Sequence, residues 1–188
     1  IENTRTNKSS LIPVDVPSGE KNNFQFVLNV LSDKSKKIWV LSPYYLYIFD
    51  ETNNQLIKKA ASRDLFTSKN RELFTNVFFD NDDDCWFLSS RGNFYKYNIK
   101  LNKIEETINS KNGGPSVVKY VCIDNKSRIW MASDTTCVFY DKRTKMIYKL
   151  ANHKLDSLSR NSMFGLVSDI NGNIWLGIRS FGLVKVTE

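Results

Sequence analysis

The chain has 188 residues, 41% of them apolar and 13% aromatic, which is material enough for one substantial packed domain. Charged residues make up 25% and are mixed in sign, so a disordered acidic or basic arm is excluded. The net charge of +7 is spread over turn lysines such as Lys34, Lys36, Lys37, Lys142 and Lys145, a pattern that serves solubility and leaves no nucleic-acid footprint.

The first element in chain order is Leu11 to Val16, inside segment 1–20, which reads as an outer strand without a blade of its own. Pro13 is tolerated there, because an outermost strand needs only one ladder face. From residue 21 a repeat begins. Its blocks read VLSDKSKKIWVL from Val30, VFFDNDDDCWFL from Val77, VCIDNKSRIWMA from Val121 and LVSDINGNIWLG from Leu166. The tryptophans, Trp39, Trp86, Trp130 and Trp175, stand 47, 44 and 45 residues apart. Six residues before each comes an aspartate: Asp33, Asp80, Asp124 and Asp169.

Each block predicts a strand, a tight polar turn and a second strand, since short apolar runs are divided by Asp, Asn, Lys and Gly. Third strands are expected at Leu46 to Phe49, Phe94 to Tyr97, Cys137 to Tyr140 and Gly182 to Val186. Fourth strands follow at Gln55 to Lys59, Ile104 to Ile108 and Met146 to Leu150. Four antiparallel strands in about 45 residues, repeated, predict an all-β protein of β-propeller blades. The blades are 21–65, 66–112, 113–155 and 156–188, the last without its outer strand. Either the 1–20 strand closes a ring with the last blade, or the four blades belong to a larger propeller of six to eight, which is the reading favoured.

An indole at the same place in every repeat is best explained by packing between neighbouring blades, since it buries roughly 150–250 Å². The aspartate reads as a turn acceptor. Cys85, Cys122 and Cys137 lack metal-ligand spacing and are expected to be small buried hydrophobes, with no metal or other cofactor implied. The acidic run from Asp80 to Asp84 has oxygens at alternate positions, yet Cys85 and Arg91 stand where a calcium loop requires glycine and glutamate. An acidic hairpin turn is the expectation there.

No run approaches the ~18 apolar residues of a membrane helix, and Ile1 to Arg5 lack the apolar core of a signal peptide. A start at Ile1 instead of Met suggests that upstream sequence was removed. Any link to a membrane is therefore expected through parts of the protein outside this sequence. The lone His153, with Asp156 and Ser157, Ser159 and Ser162 nearby, lacks a nucleophile elbow and predicts no catalytic residues.

The block DINGNIWLG at 169–177, followed by Phe181 to Val186 and preceded by Leu158 to Met163, resembles the repeat of the two-component-regulator propeller family. The other blades keep the aspartate and tryptophan and lose the glycines. The resemblance implies a ligand-sensing segment in the periplasmic part of a hybrid two-component system, signalling glycan breakdown products to a histidine kinase located elsewhere. Streptogramin lyases look like relatives with similar blades, but their histidine-centred, metal-assisted site has no counterpart pattern here. A protein-interaction scaffold is the other alternative.

Strand counting puts the loops between second and third strands on one face with the interblade connections. Those loops supply Tyr44, Tyr45 and Phe181 as aromatic platforms, Arg91 and Arg179 as charge-assisted donors and Asp134 as an acceptor, which together suit an oligosaccharide. The connections 61–76, 110–119 and 151–163 are long, and Arg63, Arg71, Lys111 and Lys119 would add a positive rim compatible with an acidic oligosaccharide. Expected partners are such a sugar and either further blades or a second chain.

Overall fold

The computed structural model describes residues 11–12, 26–66, 72–150, 163–179 and 181–186. Four antiparallel sheets follow one another in sequence order. Blade 1 comprises β1 (Asn29–Ser32), β2 (Ile38–Leu41), β3 (Tyr45–Asp50) and β4 (Gln55–Ala61). A one-turn helix α1 (Ser62–Leu65) leads on to blade 2: β5 (Phe74–Phe79), β6 (Cys85–Ser89), β7 (Phe94–Asn98) and β8 (Lys103–Ile108). After a short 3₁₀ turn (Ser110–Asn112) comes blade 3, with β9 (Tyr120–Ile123), β10 (Ile129–Ala132), β11 (Cys137–Asp141) and β12 (Met146–Lys149). Blade 4 holds β13 (Met163–Ser168), β14 (Ile174–Ile178) and β15 (Gly182–Val186), and among the described residues no strand pairs with the outer edge of β15. Leu11 and Ile12 lie outside any strand, and the rest of the expected 11–16 strand falls outside the described residues.

The strands form where apolar and β-branched residues alternate, and the hairpin turns have one construction in all four blades. In each, the first aspartate oxygen accepts backbone N–H groups of the turn: Lys37 (3.0 Å), Asp82 and Asp84 (2.9 and 3.1 Å), Lys126 and Arg128 (2.9 Å each), Asn171 and Asn173 (3.0 and 2.8 Å). The residue three after each aspartate is left-handed, with φ of 64° at Lys36, 66° at Asp83, 61° at Ser127 and 81° at Gly172. Loss of glycine in the first three blades therefore changed the cost of the turn and not its shape.

The second aspartate oxygen does something the spacing alone did not disclose. It accepts the indole N–H of the tryptophan six residues on, at 2.9, 2.9, 2.8 and 2.9 Å in blades 1 to 4. One carboxylate thus closes the turn and fixes the ring that fills the core.

The core lies between sheets. Trp39, Leu41 and Leu46 pack on Val77 and Phe87 of blade 2; Trp86 and Phe94 on Ile129 and Met131 of blade 3; Trp130 and Cys137 on Ile174 and Leu176 of blade 4. The indoles of blades 1 to 3 therefore face the following blade. Trp39, Trp86 and Trp130 are buried, whereas Trp175 is half-buried. Polar residues bind the turns together along the same direction. Lys34 donates to Asn81 and Asp83, Asn81 to the Asp124 carbonyl (3.1 Å), and Asn125 to the Asn171 carbonyl (3.2 Å). A Cβ on Gly172 would stand 2.3 Å from the Asn125 amide, so that glycine serves both φ and this close approach.

Candidate functional site

A cavity of about 510 Å³ opens where three connections meet: the segment joining blades 1 and 2, the β6–β7 loop, and the segment joining blades 2 and 3. Leu65, Phe66 and Glu72 come from the first, Arg91 and Asn93 from the second with Tyr95 of β7 beside them, and Asn109, Ser110, Lys111 and Ser116 from the third. Such a volume suits a small ligand.

Each wall is held by local geometry. Ser90 Oγ accepts from Leu73 N (3.1 Å) and Ser90 N donates to Leu73 O (2.8 Å), which ties the β6–β7 loop to the first connection. At its tip Gly92 has φ 75°, and a Cβ there would stand 2.6 Å from Val117 Cα. Only glycine lets the loop carrying Arg91 lie so close to the third connection. That connection is shaped by Asn109 and Asn112, whose side chains accept from Lys111 N (2.9 Å) and Asn109 N (2.8 Å), and it ends on Gly113 with φ 92°.

The floor is a closed polar network. Glu72 is 5% exposed, and its carboxylate accepts from Asn93 Nδ2 (3.1 and 3.2 Å) and Tyr95 Oη (3.0 Å), while Asn93 Nδ2 also donates to Tyr95 Oη (3.1 Å). Burial, followed by the neighbouring Glu72 charge and hydrogen bond, pushes the Tyr95 phenol up to about 12. The phenol is therefore a fixed donor at neutral pH. Phe66 packs against Tyr95 (centroids 5.1 Å) and Phe74 (5.5 Å), giving the network an apolar backing.

Of the six residues singled out from the sequence, Arg91 lines this cavity. Tyr44 is half-buried beside β3, and its carbonyl accepts from Ser62 N (2.8 Å). Tyr45 is not a loop platform: β3 starts at this residue, and its ring is 4% exposed, against Tyr47 and under the Lys58 ammonium at 3.9 Å. The reason is register, because Tyr45 pairs with Ala61 and so belongs to the sheet. Asp134 is engaged by the Lys119 ammonium at 2.7 and 2.8 Å. Arg179 and Phe181 are exposed and do not line the cavity. Of the rim cations, Lys111 lines it, Arg63 sits 3.6 Å from Asp64, and Arg71 lies outside the described residues, as do His153 and Asp156. Glu72, Asn93 and Tyr95 were not singled out; the alternation that places Asn93 and Tyr95 on one side of Phe94 was the available signal.

The acidic turn of blade 2 brings carboxylate oxygens of Asp80, Asp82 and Asp84 within 4.8 Å of one another. The Lys142 ammonium of blade 3 lies 2.6, 2.6 and 3.0 Å from them, and Lys96 lies 2.9 Å from Asp84. The cluster is thus an interblade fastening. Cys85, Cys122 and Cys137 are free thiols; burial first, then nearby negative charge, pushes Cys122 and Cys137 up to about 12 and Cys85 up as well, so none is a ready nucleophile.

No family model matches the chain, and no curated protein matches it. Solved structures do. The extracellular domain of the hybrid two-component system BT4673 from B. thetaiotaomicron superposes with a TM-score of 0.67 at 15% identity, over 87% of this chain and 23% of that one. This chain is a β-propeller array. The extracellular domain of BT3049 from the same organism gives 0.65 at 20% identity, over 98% of this chain and 25% of its own length, and virginiamycin B lyase from Staphylococcus aureus gives 0.58 at 10%, over 86% and 55%. The array spans about a quarter of the two-component structures it matches, and identities this low establish the fold.

Proposed function

We propose that the chain is a non-catalytic, ligand-sensing propeller segment of the periplasmic sensor in a hybrid two-component system, and that its ligand is an oligosaccharide seated around Glu72. The observation that carries this reading is the cavity floor. A buried carboxylate, an amide and a phenol are locked to one another before any ligand arrives, and a preorganised set of donors and acceptors of this kind suits hydroxyl recognition. The matches to extracellular domains of two-component systems support the sensory role.

The test is a thermal-shift and calorimetric panel of oligosaccharides on the whole chain, with Asn93→Ala beside it. At least one saccharide is expected to raise Tm, and N93A to remove the effect. A panel without any binder, or binding indifferent to Asn93, overturns the reading.

The exposed face of blade 4 supports a further part of the proposal. Val167 and Leu183, on the Trp175 face by register, are exposed there, and Ile170, in the position that Lys34, Asn81 and Asn125 use to reach the next turn, is 97% exposed. We propose that further blades, from the same protein or a second chain, cover this face. Cross-linking from Ile170→Cys to a neighbouring blade is the expected result, and a fully solvent-accessible thiol in the intact receptor argues against it.

A further inference from the structure

The cavity carries more positive charge than its polar floor can use. Arg91 and Lys111 both line it, on two different connections, and neither side chain forms an ion pair or hydrogen bond among the described residues. Other cations on the same connections behave differently: Lys119 is held by Asp134, and Arg63 lies beside Asp64. Glu72, the one carboxylate among the described cavity residues, is already occupied by Asn93 and Tyr95 and stands at the buried end.

We propose that this pair of cations receives an acidic group of the ligand, so that the cavity selects saccharides bearing a carboxylate or a sulfate ester. The inference rests on the saccharide reading above and adds its charge.

Glu72 sets the orientation. A second negative charge placed beside it would be repelled, so the acidic group stays at the exposed end with Arg91 and Lys111 while neutral ring hydroxyls face the Glu72 end. Arg91 offers a planar fork that fits either oxyanion, and Lys111 a point charge. The backbone beneath them is fixed, through Gly92 against Val117 for the first and the Asn109–Asn112 turn for the second, while the two exposed side chains are ordered on binding.

The experiment is titration calorimetry on the whole chain with four probes: trigalacturonate, its methyl ester, a sulfated, carboxyl-reduced chondroitin disaccharide and its unsulfated, carboxyl-reduced counterpart. An acidic probe is expected to bind at least tenfold more tightly than its neutral partner, and the winning member identifies carboxylate or sulfate as the group read. Arg91→Ala and Lys111→Ala should each weaken that binding by about tenfold, as removal of one charge-assisted hydrogen bond does, while Lys111→Arg retains it. Affinity should fall with added NaCl. Both residues are exposed, and unchanged urea midpoints in the two variants confirm that folding is intact. Equal binding of neutral and acidic members, insensitive to both alanine variants, overturns the charge selection and leaves saccharide sensing standing. No binding of any probe, neutral or acidic, removes both.

Discussion

Replacing Asp124 by alanine tests whether the aspartate-to-indole contact holds the blades or merely decorates a turn. Its carboxylate is fully buried and accepts four hydrogen bonds, from Lys126 N, Arg128 N, Arg128 Nε (2.6 Å) and Trp130 Nε1 (2.8 Å). In Asp124→Ala the indole N–H and the guanidinium stay buried between blades 3 and 4 and lose this acceptor. An orphaned buried donor costs about 1–3 kcal/mol, and breaking a buried ion pair about 3–5 kcal/mol, so a loss of about 4 kcal/mol is expected. That is a large share of the ~5–15 kcal/mol a domain usually has. Urea titration followed by tryptophan fluorescence and far-UV circular dichroism reads it as a midpoint lowered by about 2 M. Trp130→Phe keeps an aromatic ring and removes the donor, so a double-mutant cycle isolates the contact, with a coupling of about 1–2 kcal/mol expected. A loss in D124A below about 1 kcal/mol, or a coupling indistinguishable from zero, would refute the reasoning.

Four further outcomes follow from the same structure. Lys142→Met leaves Asp80, Asp82 and Asp84 facing one another and should cost about 2 kcal/mol, with partial recovery at high salt; a salt-independent loss, or none, contradicts the fastening between blades 2 and 3. Ser89 Oγ is buried without a partner, unlike Ser133 Oγ, which accepts from Thr136 N. Ser89→Ala should therefore be neutral or stabilising by up to about 1 kcal/mol and Ser133→Ala destabilising, as midpoints of the two variants will tell. Lys36 is exposed with φ 64°, so Lys36→Gly should raise stability by about 0.5–1 kcal/mol; a lower Tm would show that the turn is not strained. Hydrogen bonds from the Trp175 indole and then Asn173 hold the Asp169 carboxyl down at about 2, so its contribution is complete above the ordinary value of 3.8 and is lost as pH falls through 2. Asp33 is held low in the same sense, because the Trp39, Ser35 and Lys37 hydrogen bonds outweigh the upward push of burial. The urea midpoint should thus fall only below about pH 4, and Asp169→Asn should flatten that acid limb; a decline centred near pH 6 contradicts it.

The architecture was legible because a propeller writes its packing as a period. Trp39, Trp86, Trp130 and Trp175 recur with the blade, and Gly182–Val186 forms the third strand the pattern placed there. Strand ends were less so: Tyr45 and Leu46 are both apolar, and only the pairing of Tyr45 with Ala61 decides that the sheet starts one residue earlier. The cavity was legible only in part. Arg91 and Lys111 stood out as loop cations, but Glu72 takes its meaning from Asn93 and Tyr95, 21 and 23 residues on, and such polar contacts follow no period. Lys142 shows the same limit, since its three carboxylates are about sixty residues away. The role of the second aspartate oxygen is not legible from spacing, because a turn acceptor already accounts for the residue.

The indoles of blades 1 to 3, each facing onward, give the array a polarity. Each blade shelters the ring of the one before it, so protection of a tryptophan reports on its successor, and losing a blade from the C-terminal side unmasks a ring in the blade that remains. Stability in such a line is passed from neighbour to neighbour, and unravelling should advance backward from Trp175, whose ring is only half covered and lies 5.3 Å beneath the Lys185 ammonium. Iodide quenching would then see the four tryptophans as three silent rings and one reporter, positioned on the surface where the array either continues or stops.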